Sequence, residues 1–218
     1  MTDKSLILAH IRQLALVPVI RASSADEAMR AIEALKEGGI DVLEITMTVP
    51  GAVKLIEQVA ARYEKDAIVG AGTVLDAETA RACILAGAKF VVSPGFNPAT
   101  VELCRRYSVP VMPGALTPTE VLGAWQAGAD MVKIFPCSAM GGASYIKALK
   151  APMPQVDLIP TGGVNLQTAA DFLNAGAGAL GIGADLVDPK LLKAGDYKTL
   201  VQRARAFVEA VVAARTNG

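Results

Sequence analysis

One lysine lies in the middle of a short apolar segment, residues 131–136, which is typical of a buried strand. Alternate side chains of a strand point to opposite faces, so Lys133 shares a face with Met131 and Phe135. Burial favours the uncharged amine of a lysine, which can attack a carbonyl carbon to form a Schiff base. The segment therefore indicates covalent chemistry at Lys133. The alternative is a structural lysine that pairs with a carboxylate or extends its head group to water.

A carboxylate in a second apolar segment could serve the same chemistry. Glu44 lies within residues 42–46 and shares a strand face with Thr46. A reaction that proceeds through a Schiff base moves protons at several steps, and a nearby carboxyl group can carry them. The alternative is that Glu44 only neutralises Lys133 in a buried ion pair, which needs very good geometry to offset the loss of hydration.

Other predicted strands end in polar or turn-forming residues. Arg21, Thr73 and the pair Ser93–Pro94 each follow an apolar run. The planar guanidinium of Arg21 could hold a carboxylate, although a solvated strand end is the simpler interpretation. Two glycine-rich turns, at 161–165 and 181–184, could bind phosphate through backbone N–H groups.

These segments belong to a repeated unit in which a strand is followed by a helix. The strands recur roughly every 20–27 residues, about eight times, which matches a (β/α)8 TIM barrel. In such a barrel, alternate strand residues face the interior and catalytic groups lie near the C-terminal strand ends. A doubly wound open sheet has the same local signals. The number of strands and the lack of a GxGxxG sequence after the first strand favour the barrel.

We predict a single barrel domain, residues 1–218, with an extra N-terminal helix that presents Ile7, Ile11 and Leu14 on one side. The predicted strands are 17–20, 42–46, 68–73, 90–94, 109–113, 131–136, 158–161 and 179–183. The predicted helices after the first strand are 24–38, 50–63, 76–87, 97–107, 117–128, 144–150, 165–176 and 196–213.

Composition excludes several classes of function. The net charge is zero and no basic cluster is present, which argues against a nucleic-acid partner. Apolar residues make up 52% of the 218 residues, yet no run approaches a membrane span and the first 16 lack a signal-peptide core.

His10 is the only histidine, which excludes a Ser-His-Asp triad or a histidine-rich metal site. Cys83, Cys104 and Cys137 lack CxxC spacing and suit a reducing cytoplasm.

Five segments together resemble one known family: residues 43–46, 69–74, 92–95, 133–136 and 160–164. Over nearly its whole length the chain resembles the KDPG (2-keto-3-deoxy-6-phosphogluconate) aldolase and 4-hydroxy-2-oxoglutarate aldolase family. The resemblance implies a class I aldolase that reversibly splits 2-keto-3-deoxy-6-phosphogluconate into pyruvate and D-glyceraldehyde 3-phosphate. It also implies a cytoplasmic homotrimer that uses no metal and no other cofactor.

The resemblance gives each candidate residue a role. Lys133 would form the Schiff base with the C2 carbonyl, and Glu44 would act as general acid and base through a water. Thr73 and Arg21 would bind the carboxylate of the substrate, and Pro94 and Phe135 would form the walls of the pocket. Thr161 would contact the substrate hydroxyls, and the phosphate would be bound by Gly162, Gly163 and the loop at Ala184.

The sequence departs from part of the family at two positions. Thr48 stands where some members carry a carboxylate-binding arginine, so that role falls to Arg21. Ala184 stands where members often carry a serine, and the lost hydroxyl would weaken phosphate binding by ~1–3 kcal/mol if it was buried.

Three alternatives for the function therefore stay open. Two are aldolases, one for the phosphogalactonate epimer, against which Thr161 argues, and one for 4-hydroxy-2-oxoglutarate or another non-phosphorylated 2-oxo acid. The third is a non-catalytic barrel that binds phosphometabolites and leaves Lys133 and Glu44 unused.

Overall fold

The computed structural model describes residues 3–216, in which short strands alternate with helices. The strands are Leu16–Ile20 (β1), Val42–Thr46 (β2), Ile68–Gly72 (β3), Val91–Val92 (β4), Val111–Met112 (β5), Gly114–Ala115 (β6), Val132–Ile134 (β7), Leu158–Pro160 (β8) and Leu180–Ile182 (β9). The helices are Lys4–Leu14 (α1), Ala25–Glu37 (α2), Ala52–Arg62 (α3), Ala77–Leu85 (α4), Pro98–Arg106 (α5), Pro118–Gln126 (α6), Ala143–Lys150 (α7), Ala169–Asn174 (α8), Pro189–Ala194 (α9) and Tyr197–Thr216 (α10). A 3-10 turn, Cys137–Met140, follows β7. Among these described helices none combines the length and the apolar character needed to cross a membrane.

Parallel pairing closes the strands into a barrel. One sheet has the order β5-β4-β3-β2-β1-β9 and the other has the order β6-β7-β8. A bridge between Thr161 and Gly181 joins β8 to β9, while β5 and β6 follow each other directly along the chain. The predicted (β/α)8 barrel is confirmed, and the open doubly wound sheet is excluded because both edges are closed.

The prediction of one strand at 109–113 is wrong in its extent. Only β5 lies within it and pairs with β4, whereas a second short strand after Pro113, β6, pairs with β7. Proline has no N–H to donate to a neighbouring strand, so the ladder changes partner at this residue. The carbonyl of Pro113 still accepts a hydrogen bond from the backbone N–H of Lys133, at 2.9 Å.

The helix boundaries differ from the prediction after β8 and β9. The helix predicted from 165 begins at Ala169, because the Asn165 side chain accepts hydrogen bonds from the N–H groups of Gln167 and Thr168 and holds a turn. The short helix α9 was not predicted. Asp188 caps it by accepting from the N–H of Lys190.

Two apolar clusters stabilise the barrel on opposite sides of its wall. The larger cluster lies between the strands and the surrounding helices. The smaller one fills the interior, where α1 contributes Ile7 and Ile11, as its spacing predicted. The other residues of the interior cluster are Leu8, Val17, Val42, Phe90, Val92, Met112, Met131, Ile159 and Ala179. Lys133 lies two residues after Met131, and Glu44 lies two residues after Val42, and both preceding residues belong to the interior cluster. Since alternate strand residues share a face, Lys133 and Glu44 also face the interior, towards the C-terminal ends of the strands.

Candidate active site

Lys133 lies at the centre of β7, on the interior face of the barrel. Its backbone is in register with Gly114 of β6 and Ile159 of β8. The residue is only 4% exposed, and its Nζ lies 5.3 Å from the centre of the Phe135 ring. No ion pair within residues 3–216 involves Lys133. Lys133 is therefore not held in a direct ion pair with a carboxylate of the described residues, although its charge acts on Glu44.

Glu44 lies inside the barrel on β2, in register with Val19 and Gly70. It is 1% exposed, and its Oε1 has no hydrogen-bond partner among the described residues. Burial raises the pKa of the Glu44 carboxyl, while the positive charges of Lys133 and Arg21 act in the opposite direction. A carboxyl with a raised pKa holds its proton to a higher pH than an ordinary carboxyl, which suits a group that must both donate and accept a proton.

Two glycines within strands make room for two of the candidate side chains. A Cβ at Gly72 would overlap the Glu44 carboxylate, and one at Gly181 would overlap the Thr161 hydroxyl. A glycine inside a strand often marks a close approach of another group, and this signal was available in the sequence. The sequence reasoning missed Gly72, and it placed Gly181 in a phosphate-binding turn, whereas Gly181 lies inside β9 and leaves room for Thr161.

Replacing Gly72 with alanine is expected to move the Glu44 carboxylate and to slow substrate cleavage. A displacement of about 1 Å at a catalytic group can lower the rate ~100-fold. Steady-state kinetics of the Gly72→Ala variant measure this effect. Gly95→Ala is the matched control, because a Cβ there meets no atom within 4 Å. Equal rates for the two variants would show that the position of Glu44 does not depend on Gly72.

A cavity of about 160 Å³ opens beside these strand ends. Six predicted site residues line it: Arg21, Phe135, Thr161, Gly162, Gly163 and Ala184. Val164 and Gly183, from the two predicted glycine-rich turns, also line it, and Val19 and Asp185, to which no role was assigned, complete the lining. Lys133 and Glu44 do not line the cavity themselves, but Phe135 of the lining contacts Lys133 and Val19 of the lining is in register with Glu44.

Thr73 and Pro94 are not part of this lining, although both lie at strand ends of the same barrel face. Thr73 follows Gly72 and has a φ of 56°, in the left-handed region that a β-branched residue rarely adopts. Such strain persists where the surrounding structure imposes it, frequently at functional sites. Pro94 follows β4, and its carbonyl lies where a Cβ at Gly114 would be, so this close approach requires a glycine.

The turn after β8 depends on two consecutive glycines. Gly162 and Gly163 have φ values of 94° and 77°, which only glycine adopts readily. Both residues line the cavity, where no side chain of their own covers their backbone. Thr161, which is 5% exposed, has a hydroxyl without a hydrogen-bond partner among residues 3–216. The cavity thus offers backbone and hydroxyl groups to a polar ligand.

The position of Thr48 is consistent with the reassignment of carboxylate binding to Arg21. The Thr48 hydroxyl lies 2.6 Å from that of Thr46, which in turn donates to the carbonyl of Ile20. Arg21 is exposed, lines the cavity and forms no ion pair with the described part of the chain. Its guanidinium is therefore available to an anionic ligand.

Comparisons with known proteins match the whole barrel. A family model described as KDPG and KHG aldolase matches residues 7–203. The 2-dehydro-3-deoxy-phosphogluconate aldolase of Haemophilus influenzae is 34% identical over 205 residues, which are 94% of this chain and 96% of that protein. The 2-dehydro-3-deoxy-6-phosphogalactonate aldolase of Escherichia coli strain K12 is 35% identical over 200 residues, which are 91% and 95% of the two chains.

A solved structure gives the same result for the fold. The crystal structure of KDPG aldolase from Legionella pneumophila, with pyruvate captured as a covalent carbinolamine intermediate, has a TM-score of 0.85 to this chain. The two proteins are 29% identical, and the match covers 92% of this chain and 97% of the other. Residues 7–203, which the family model matches, include the strands that carry Lys133 and Glu44.

Proposed function

The chain belongs to the KDPG and KHG aldolase family, and on this premise we propose that it is a class I aldolase. It reversibly cleaves 2-dehydro-3-deoxy-6-phosphogluconate to pyruvate and D-glyceraldehyde 3-phosphate. The observation that supports this function most strongly is a buried lysine without an ion-pair partner among the described residues, close to a buried carboxyl group whose pKa is raised. A non-catalytic barrel would leave both groups without a use.

The reaction begins when Nζ of Lys133 attacks the C2 carbonyl of the substrate. The carbinolamine loses water to form the protonated Schiff base, which acts as an electron sink. Glu44 then accepts, through a water, the proton of the C4 hydroxyl, and the C3–C4 bond breaks. The bonding electrons form an enamine on the pyruvyl fragment while the aldehyde leaves. Glu44 returns the proton to C3, and hydrolysis of the Schiff base releases pyruvate and the free lysine.

The cavity and the strand ends hold the rest of the substrate. We propose that Arg21 and Thr73 bind the C1 carboxylate, because a guanidinium presents two parallel donors to a carboxylate. The unpartnered Thr161 hydroxyl binds a substrate hydroxyl. The remaining contacts are Pro94 and Phe135 at the pocket walls and Gly162, Gly163 and Ala184 at the phosphate.

The phosphogalactonate epimer is the second candidate substrate, because a relative of similar identity is named for it. Thr161 favours the gluconate epimer, since the galactonate branch of the family tends to carry an aliphatic residue at this position. 4-Hydroxy-2-oxoglutarate, which has no phosphate, is a third candidate.

An assay of pyruvate release tests the proposed function. Both phosphorylated epimers and 4-hydroxy-2-oxoglutarate are supplied separately, and lactate dehydrogenase converts the pyruvate with oxidation of NADH. We expect the gluconate epimer to have the highest kcat/KM, with equal amounts of pyruvate and aldehyde formed. A higher kcat/KM for another substrate would reassign the specificity, and no pyruvate from any of them would contradict the aldolase activity.

Replacing Ala184 with serine is expected to strengthen binding of the phosphorylated substrate. The new hydroxyl adds a donor beside the glycine turns, and one such hydrogen bond changes the binding free energy by about 1 kcal/mol, or about fivefold in KM. Kinetics of the Ala184→Ser variant measure the change. Its KM for the phosphorylated substrate should fall, whereas an unchanged or higher KM would place the phosphate away from this loop.

We further propose that the single domain of residues 1–218, of which 1–2 and 217–218 lie outside the described residues, acts as a cytoplasmic homotrimer. Leu75, Leu122 and Trp125 support an interface, because each is exposed and apolar: Leu75 lies between β3 and α4, and the other two lie on α6. Light scattering of the purified protein should give three times the 22.6 kDa mass of the chain. A monomeric mass would contradict the trimer.

A further inference from the structure

We propose that Asp185 is a specificity-determining residue which disfavours a doubly charged phosphate at the far end of the substrate. The site would then also accept the unphosphorylated 2-keto-3-deoxy sugar acid, whose terminal hydroxyl can donate a hydrogen bond to the Asp185 carboxylate. This inference rests on the proposed aldolase function and concerns the group at the end of the substrate that does not react.

The charge of the cavity lining supports this role. Of the residues that line the cavity, Arg21 and Asp185 are the two with ionisable side chains. They do not pair with each other, and Asp185 has no ion-pair partner within residues 3–216. The lining therefore carries one positive and one negative charge. A site that holds a dianion by electrostatic attraction would carry a surplus of positive charge.

The hydrogen-bonding capacity of the loop supports the same conclusion. An ionised carboxylate and a phosphate dianion both accept hydrogen bonds and cannot donate one to each other. Ala184, the residue before Asp185, has no side-chain donor for a phosphate oxygen. A substrate hydroxyl can donate to the carboxylate and accept from a backbone N–H of the glycine turn at Gly162 and Gly163.

Protonation of the substrate phosphate should make the effect of Asp185 depend on pH. A phosphate ester changes from a dianion to a monoanion with a pKa of about 6. Repulsion from Asp185 should therefore weaken when the pH falls from about 7.5 to about 5.5. Asp185 is exposed, so salt should weaken the same repulsion by screening.

The experiment compares cleavage of 2-keto-3-deoxygluconate 6-phosphate and of unphosphorylated 2-keto-3-deoxygluconate by the parent enzyme and by Asp185→Asn. Both substrates carry the C1 carboxylate and the C2 carbonyl, so the ratio of their kcat/KM values isolates the terminal group. Glu57→Gln is the matched control, because Glu57 is an exposed carboxylate on α3 that does not line the cavity.

We expect Asp185→Asn to raise the ratio in favour of the phosphorylated substrate about tenfold at low salt, mainly through its KM. Glu57→Gln should leave the ratio within about twofold of the parent value, since a distant exposed charge is screened. The difference between the parent and Asp185→Asn should narrow at about pH 5.5 and at high salt.

An unchanged or lower ratio for Asp185→Asn would overturn the role of Asp185 even though both substrates are cleaved. Trapping of pyruvate on Lys133 with borohydride, run in parallel, separates this result from failure of the proposed function. If no adduct forms and neither substrate is cleaved, the aldolase activity and the inference about Asp185 both fail.

Discussion

Replacing Lys133 with methionine is expected to lower kcat/KM for cleavage by about 10⁵-fold or more, because the variant has no amine to form the Schiff base. Methionine resembles the lysine stem in length and can fill the same apolar space against Phe135. The barrel should therefore stay folded, which circular dichroism and thermal unfolding would verify. Loss of activity can then be assigned to loss of the nucleophile.

Two further variants separate the nucleophile from the charge. Lys133→Arg keeps a positive charge but has a guanidinium, which stays protonated and does not attack a carbonyl, so it should be as inactive as Lys133→Met. Lys147→Ala removes an exposed lysine from α7 and should leave the rate unchanged. Residual activity of Lys133→Arg above about 1% would mean that Lys133 acts as a charge and not as a nucleophile.

Replacing Glu44 with glutamine is expected to slow cleavage by about 10²–10⁴-fold while the variant still forms the covalent adduct with pyruvate. Glutamine keeps the shape of the side chain beside Gly72 but cannot exchange a proton. Rapid-quench measurement of bond cleavage, together with borohydride trapping, separates the two steps. Unchanged turnover would remove Glu44 from the mechanism, and loss of the adduct would give it a role in the first step instead.

The same variant tests the environment of Glu44 through the pH dependence of stability. The pKa of Glu44 is raised above the ordinary value of 4.5 in the folded protein, mainly by burial. As the pH rises above the ordinary value, the carboxyl loses its proton in the unfolded chain first. The parent protein therefore becomes progressively less stable with rising pH, and this loss stops once the pKa of the folded carboxyl is passed. Glutamine does not titrate. The free energy of unfolding of Glu44→Gln, relative to the parent, should therefore increase as the pH rises from about 4.5 until the pKa of the folded carboxyl is passed.

Urea unfolding of both proteins across this range measures the difference. A difference that stays constant with pH would show that Glu44 titrates alike in the folded and the unfolded chain. A difference that falls as the pH rises would show that the positive charges of Lys133 and Arg21 outweigh burial.

The buried positions of Lys133 and Glu44 could be predicted from the sequence because strand periodicity is local. Lys133 and Glu44 are charged residues within short apolar runs, and alternation of side chains directs both into the barrel. The repeated strand and helix unit then suffices to predict which ends of the strands meet. Arg21 and Thr161 follow from the same rule, because each lies at the end of a strand.

Other features depend on contacts between residues distant in the chain. The change of partner at Pro113 arises because β5 and β6 face different neighbours, which no local pattern records. The need for glycine at position 72 comes from the Glu44 side chain on the adjacent strand. Asp185 belongs to no recognisable sequence motif. Its place in the same cavity lining as Arg21, which is far away in the sequence, appears only in the folded structure.

The most direct test of the central claim is reduction with sodium borohydride in the presence of pyruvate, followed by mass spectrometry of the digested protein. If Lys133 is the Schiff-base nucleophile, one reduced pyruvyl group should be found on the peptide that contains Lys133. The Lys133→Met variant should remain unmodified. An adduct on another lysine, or no adduct on the active protein, would contradict the assignment of Lys133 as the catalytic amine.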